Sequence, residues 1–232
     1  MAGSFQIAID GPVAAGKGTV SRLVAERLGF LYVDTGAMYR VGALLCHRTK
    51  TDVNDGPAVA KLLSESKLEM RNPSDEEKDG RLTTVLLNGE DVSWAIRTEA
   101  VSNDSSKVAA HSQVRHVLVK KQQEIAQNNH VVMEGRDITY RVLPQAQLKI
   151  FLTANDIVRA KRRHFDLQTH GHAITFEEVY QDLLERDKRD QERAVDPLQQ
   201  PPDSWVVDTS DLSIDQVVNL IVAKVNVMRS VT

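Results

Sequence analysis

Gly11-Pro12-Val13-Ala14-Ala15-Gly16-Lys17-Gly18-Thr19 constrains this chain more than any other stretch. It follows the apolar run Phe5-Gln6-Ile7-Ala8-Ile9-Asp10 and opens an amphipathic segment carrying Val20, Leu23, Val24 and Leu28. The order strand, glycine-rich turn, helix is the context that a phosphate-binding loop requires. Gly11 and Gly16 permit backbone conformations that a Cβ hinders, so successive amide N–H groups can converge on one anion. The helix N-terminus adds partial positive charge. Lys17 is placed to reach the β- and γ-phosphates of a nucleotide, and Thr19 to lie near a metal ion. Gly18 stands where the general pattern has Ser or Thr, and the hydroxyl moves one place on, to Thr19.

Partners are bounded by charge. Lysine and arginine number 29 against 32 aspartates and glutamates, a net charge of −3, so no global positive field recruits nucleic acid or an anionic membrane. The single cysteine, Cys46, lies in the apolar run Val41-Gly42-Ala43-Leu44-Leu45 and reads as a small core side chain. No stretch has the pattern of a signal peptide or the length of a membrane span. The expectation is a cytoplasmic monomer acting on small molecules, with no nucleic-acid or membrane partner.

Five short apolar runs read as buried strands: Phe5 to Ile9, Phe30 to Val33, Val131 to Met133, Leu148 to Leu152 and Trp205 to Val207. Helix-like stretches alternate with them, which predicts an α/β fold with a parallel five-stranded sheet covered on both faces. Ligands in such folds bind beyond the carboxyl ends of the strands, where the runs deliver Asp10, Asp34, Glu134, Thr153 and Asp208. Nearly a hundred residues separate the second and third runs, too many for one crossover helix. Within them, Leu82 to Val92 predicts a hairpin with Asn88-Gly89 as a type I′ turn. Residues 65–97 are therefore expected to form a small β-containing insertion within a single domain spanning 1–232. Helical stretches follow at Ala100 to Ala110 and Ser112 to Ala126.

Three further constellations carry chemistry. Asp34-Thr35-Gly36-Ala37-Met38-Tyr39-Arg40 puts a hydroxyl and an arginine near the rim of the sheet, and the planar fork of Arg40 suits a monoester phosphate. Glu134-Gly135-Arg136-Asp137 follows a strand; Arg136 adds a second cation, and Glu134 could organise magnesium through water. Late in the chain come Arg159, Arg162 and Arg163, then Glu185 to Arg193, where Arg186, Asp190 and Arg193 share one helix face. Residues 159–193 hold eight basic and eight acidic residues, so they are no nucleic-acid patch. Arginines near a phosphate loop instead suit phosphoryl transfer, which spreads charge over the transferring oxygens. His170-Gly171-His172 lacks further metal-ligand spacing. Thr49-Lys50-Thr51-Asp52 follows no strand, and the chain has no Asp-x-x-Gly, which disfavours a GTPase. Trp94 and Trp205 read as core or insertion-packing residues.

Taken together, Gly11–Thr19, Asp34–Arg40, Ile96-Arg97-Thr98, Glu134–Asp137 and Arg186–Leu198 resemble the bacterial-type cytidylate kinases over essentially the whole chain. The resemblance implies a P-loop NTPase-like sheet, a monophosphate-side insertion, a helical lid over 159–193, and transfer of phosphate from ATP, with Mg2+, to CMP and dCMP. By motif position, Gly11, Pro12, Val13, Ala14, Ala15, Gly16, Lys17, Gly18 and Thr19 would hold ATP. Thr35, Arg40 and Arg136 would hold the acceptor phosphate, Ser106, Arg115 and Asp137 would read cytosine, and Arg186 and Asp190 would contact the sugar. Arg163, Arg189 and Arg193, with Lys17 and Arg136, would serve the transfer itself. Two departures stand out. The family continues Gly-Arg-Asp-x-Gly-Thr-Val-Val, whereas this chain has Ile138-Thr139-Tyr140-Arg141-Val142 after Asp137, so a different backbone and added bulk are expected beside the base pocket. Ala14 replaces a Gly or Ser, an expected small change. A kinase for a hydroxyl acceptor would instead use Asp34 as base, and a regulator that binds ATP without turnover would need a partner surface.

Overall fold

The computed structural model describes residues 4–77, 79–169 and 171–230; His170 lies outside the described residues. The chain runs β1 (Gln6–Asp10), α1 (Lys17–Leu28), β2 (Leu31–Asp34), α2 (Thr35–Thr49), α3 (Gly56–Glu65), β3 (Leu68–Arg71), β4 (Thr84–Leu87), β5 (Glu90–Asp91), α4 (Glu99–Val108), α5 (Ser112–Gln127), β6 (Val131–Gly135), β7 (Leu148–Thr153), α6 (Asp156–Thr169), α7 (Phe176–Glu192), β8 (Trp205–Asp208) and α8 (Ile214–Ser230). The central sheet has the order β2-β6-β1-β7-β8 with every pairing parallel. All five of its strands fall on the apolar runs read from the sequence.

Because side chains alternate along a strand, β1 serves two cores. Ile7 and Ile9 pack with Val20 and Val24 of α1 and Val218 and Ile221 of α8 on one face. Ala8 faces the other side, among residues of α2 to α5 such as Met38, Leu63, Val108 and Leu118. Cys46 is buried there as a core side chain. Among the described residues, no helix is long and apolar enough to cross a membrane.

A second, antiparallel sheet of order β3-β4-β5 lies between α3 and α4. Asn88 and Gly89 take φ values of 52° and 87°, the positive pair that a type I′ turn requires. The strand β3 had no clear sequence signal: it is four residues long, and Glu69 and Arg71 interrupt its apolar character. Asn72, just beyond it, ties this sheet to the central one. Its side chain accepts from the Tyr32 N–H at 3.0 Å and donates to the Phe30 carbonyl at 2.8 Å. Trp94 is not core; it is half exposed and donates its indole N–H to Asp79.

Candidate active site

The parallel register brings the strand ends to one rim. Asp34 of β2 lies opposite Glu134 of β6, and Asp10 of β1 lies opposite Gly135. Thr153 and Asp208, the other two polar strand ends, instead stabilise the turn after β8: the Thr153 carbonyl accepts from Thr209 N–H, and Asp208 from Ser210.

From β1 the loop turns away at Gly11, where an added Cβ would stand 2.0 Å from the Leu152 carbonyl oxygen. Only glycine fits so close to β7. Ala14 takes φ +57°, so it occupies a left-handed conformation that costs a residue with a Cβ about 1–2 kcal/mol; the replacement expected to be small is a strained one. Gly16 caps α1 without a side-chain bond, and no acidic residue sits in the first turn. The leading N–H groups of α1 thus keep their attraction for an anion. Lys17 is buried and folds back to donate to the Pro12 carbonyl at 2.7 Å. Burial, and then the nearby Arg136 charge, push its amine down to about 7.

Every residue assigned by motif lines one cleft of about 1210 Å³, except Gly11 and Pro12 of the loop. Eleven lysines and arginines line it against five carboxylates, on a chain whose net charge is −3. Positive charge is therefore concentrated here. Some of it is held by fixed partners. Arg40 Nη1 donates to Asp34 Oδ2 at 3.2 Å, while Asp34 also caps α2 through Ala37 N–H. Burial pushes the Asp34 carboxyl up, but Arg40 and Arg97 together outweigh it and hold it below its ordinary value. Asp34 is accordingly an anchored anion rather than a base free to activate a hydroxyl. Arg136 Nε donates to Asp190 Oδ2 of α7 at 2.6 Å. Thr35 Oγ1 donates to the Glu134 carbonyl at 2.7 Å, and the absence of a Cβ at Gly135 leaves room for it.

Other charge is uncompensated. Arg186 stands exposed at the mouth of the cleft, with Arg136, Arg40 and Arg163 near it and Asp190 opposing them. Arg97 keeps a buried Nη2 with no hydrogen-bond partner among the described residues. Such a surplus of cations in one cleft calls for an anionic ligand.

The residues assigned to the base form their own cluster. Arg115, fully buried, donates Nη2 to Asp137 Oδ2 and lies over the Tyr39 ring at 5.5 Å. Arg193 Nη2 reaches Asp137 Oδ1 at 3.4 Å. Ser106 of α4 lines the same cleft, as do Arg163 and Arg189; Arg163 pairs with Asp166, and Arg189 Nε donates to the Glu185 carbonyl.

Glu134 accepts from the Tyr32 hydroxyl at 2.7 Å, and burial beside Asp34 raises its carboxyl above the ordinary range. Among the described residues, no three His, Cys, Asp or Glu side chains cluster to hold a metal. That donor set fits magnesium bound chiefly by phosphate oxygens and water, which needs only one or two protein oxygens.

Several functional contacts escaped sequence reasoning. Arg159 Nη1 bridges the Val13 carbonyl at 3.0 Å and Asp187 Oδ2 at 2.5 Å, while Asp187 Oδ1 accepts from Val13 N–H at 3.2 Å. This latch fastens α6 and α7 to the phosphate loop across 174 residues of sequence, with no local pattern to announce it. Asp10 is another: fully buried, it accepts from Ile138 N–H, Thr139 N–H and the Thr139 hydroxyl.

The family model described as Cytidylate kinase matches residues 7–227. The cytidylate kinase of Shouchella clausii (strain KSM-K16) is 44% identical over 221 residues, covering 95% of this chain and 96% of the relative. That of Bacillus subtilis (strain 168) is 42% identical, covering 95% and 96%. In fold, the chain is similar to an uncharacterized protein from Eubacterium ventriosum, at 10% identity and a TM-score of 0.52 over 96% of this chain and 99% of that one.

Proposed function

The chain belongs to the cytidylate kinase family, and from that premise we propose that it transfers the γ-phosphoryl group of ATP in line to CMP and dCMP, giving ADP with CDP or dCDP. The observation that carries this is the concentration of cations in one cleft beyond the strand ends: eleven lysines and arginines line it against five carboxylates, and burial, with Arg136 next, pushes Lys17 down to about 7. Two phosphate-bearing ligands meeting there would supply the missing anions.

The phosphate loop and the open N-terminus of α1 take the donor's polyphosphate, with Lys17 swinging from the Pro12 carbonyl to a phosphate oxygen. Arg40 and Arg136, already oriented by Asp34 and Asp190, hold the acceptor phosphate, with Thr35 at the same rim. An acceptor that already carries phosphate needs no general base, since its second pKa of about 6 leaves it mostly dianionic at neutral pH. Magnesium, when bound, would be held by Thr19 and, through water, by Glu134, and supplies charge neutralisation between phosphates. Arg163, Arg189 and Arg193 stabilise charge on the transferring oxygens once the ends of α6 and α7 beyond the Arg159–Asp187 latch close as a lid, and closure excludes water. Arg186 and Asp190 meet the sugar.

Cytosine is read by hydrogen-bond polarity. It offers a donor at N4 and an acceptor at N3, and uracil reverses both. Asp137 or Ser106 accepting from N4, with Arg115 donating to N3, leaves buried groups unpaired against UMP, which can discriminate by roughly 10⁴.

The test is ADP release by the purified protein with ATP and magnesium, screening CMP, dCMP, UMP, AMP and GMP. Fastest turnover with CMP or dCMP is expected. Preference for another monophosphate would overturn the base assignment, and no turnover with any would overturn phosphoryl transfer to a nucleotide.

A further inference from the structure

The departure after Asp137 has a structural consequence that motif comparison does not supply. Residues Ile138–Val142 form a π-helical turn, with Val142 N–H bonded to the Asp137 carbonyl and Leu143 N–H to that of Ile138. Single π turns tend to occur at functional sites. Each of the three departing residues makes a distant contact. Thr139 donates its hydroxyl to Asp10 at 2.6 Å. Tyr140 donates to the Pro197 carbonyl at 2.5 Å, and Arg141 Nε lies 3.5 Å from Asp196 Oδ1. Two of them therefore brace the same short segment, the turn that follows α7.

At the centre of that segment stands Asp196. Its φ is +46°, an uncommon conformation for a residue with a Cβ and more so directly before a proline. Strained residues of this kind persist where the surroundings over-determine them. Here both polar ends of the residue are used. Its carbonyl accepts from Arg193 Nε at 2.6 Å and from Arg193 Nη2. Its carboxylate accepts from Arg115 Nε at 2.8 Å. Asp196 does not itself line the cleft, so it acts only through the two arginines.

Arg115 is thereby fixed in three directions: by Asp137 on Nη2, by Asp196 on Nε, and by the Tyr39 ring beneath its guanidinium. With Nη1 also reaching the Ala109 carbonyl at 3.4 Å, three of the five guanidinium N–H groups are directed before any base arrives. The rest must approach a pyrimidine in one plane and one rotation.

We infer that Asp196 is a specificity-positioning residue: its carboxylate locks Arg115 in the orientation that accepts a pyrimidine with an acceptor at N3, and Tyr140 and Arg141 hold Asp196 in place. The inference rests on the assignment of Arg115 and Asp137 to cytosine. Because Arg193 ends α7 and bonds the same residue, the lock also ties base recognition to the end of the lid helix.

Glycine separates fold from charge here, since it suits φ +46° without strain. Asp196→Gly removes the carboxylate and keeps the carbonyl; Asp196→Asn keeps an acceptor and tolerates the left-handed conformation. In Asp196→Gly, KM for CMP should rise roughly tenfold, the scale of one hydrogen bond to a charged group. The CMP-over-UMP ratio of kcat/KM should fall by a similar factor, with KM for ATP unmoved. Asp196→Asn should recover most of the ratio. A wild-type preference for CMP that survives Asp196→Gly, or equal increases in KM for CMP and ATP, would overturn the inference while leaving the base assignment standing. A wild-type enzyme with no preference for CMP would overturn that assignment, and the inference with it.

Discussion

Lys17 makes the protonation of this site depend on its ligand. In the free protein the buried amine, beside Arg136, is pushed down to about 7. At about pH 7.5 it is therefore protonated in roughly a quarter of molecules. A polyphosphate against Nζ supplies the anion that burial and Arg136 oppose, and returns the amine toward its ordinary value of about 10.4. Binding of MgATP near pH 7.5 should accordingly take up about three quarters of a proton per site, falling to about 0.1 near pH 6, where the lysine is already charged. Isothermal titration calorimetry in buffers of different ionisation enthalpy measures this directly, because the slope of apparent enthalpy against buffer enthalpy is the number of protons exchanged. The nucleotide's own protonation contributes equally in Lys17→Met, so the difference between the two proteins isolates the lysine. Affinity will fall in the variant, but the slope does not depend on affinity once the titration is driven to completion. A wild-type slope that is flat between the two pH values, or one that Lys17→Met reproduces, would refute the reasoning.

Arg136→Ala should raise KM for CMP by roughly 10- to 100-fold, the loss of about 1.5–3 kcal/mol from charge-assisted bonds, while KM for ATP moves far less. Arg136→Lys should recover little, because a point ammonium cannot serve Asp190 and a phosphate with one planar fork; equal losses for both substrates would count against the acceptor assignment. Asp10 offers a test away from turnover. Burial pushes its carboxyl up to about 6, so its contribution to stability is complete below about pH 4 and is lost as pH rises through 6, a total of about 3 kcal/mol. Urea unfolding should show the wild type losing that amount relative to Asp10→Asn between the two pH values, and parallel profiles would show that the group titrates normally.

What was legible in the sequence is what is local. The phosphate loop, the five strand ends and the Asn88-Gly89 turn announce themselves because a few adjacent residues determine their backbone. The strand β3 escaped because four residues with two charges carry no usable period, and it is defined by pairing with β4. Ala14 illustrates a subtler failure: its identity was visible, but the cost of its identity depended on φ +57°. Partners were the least legible of all. Arg115 and Asp196 lie 81 residues apart and Arg136 and Asp190 lie 54 apart, and nothing in either segment names the other. Motif spacing located the arginines; only the fold revealed which carboxylate holds each one.

That pairing divides the cations of the cleft into two kinds with different work. Arg40, Arg136 and Arg115 each have a carboxylate in hand, so their geometry is set before a ligand arrives and their charge is partly cancelled. They can orient a phosphate or a base at low entropic cost, and they add little net field. Lys17 is the reverse: its charge is suppressed by burial and by the neighbouring Arg136, and it develops fully only against an anion. Lys17 sits near Arg136, where donor and acceptor phosphates would meet. Positive charge at the point of transfer therefore reaches full strength only when the donor phosphate is present. A chain with a net charge of −3 can in this way present a strongly cationic centre without bearing its full electrostatic cost in the free state.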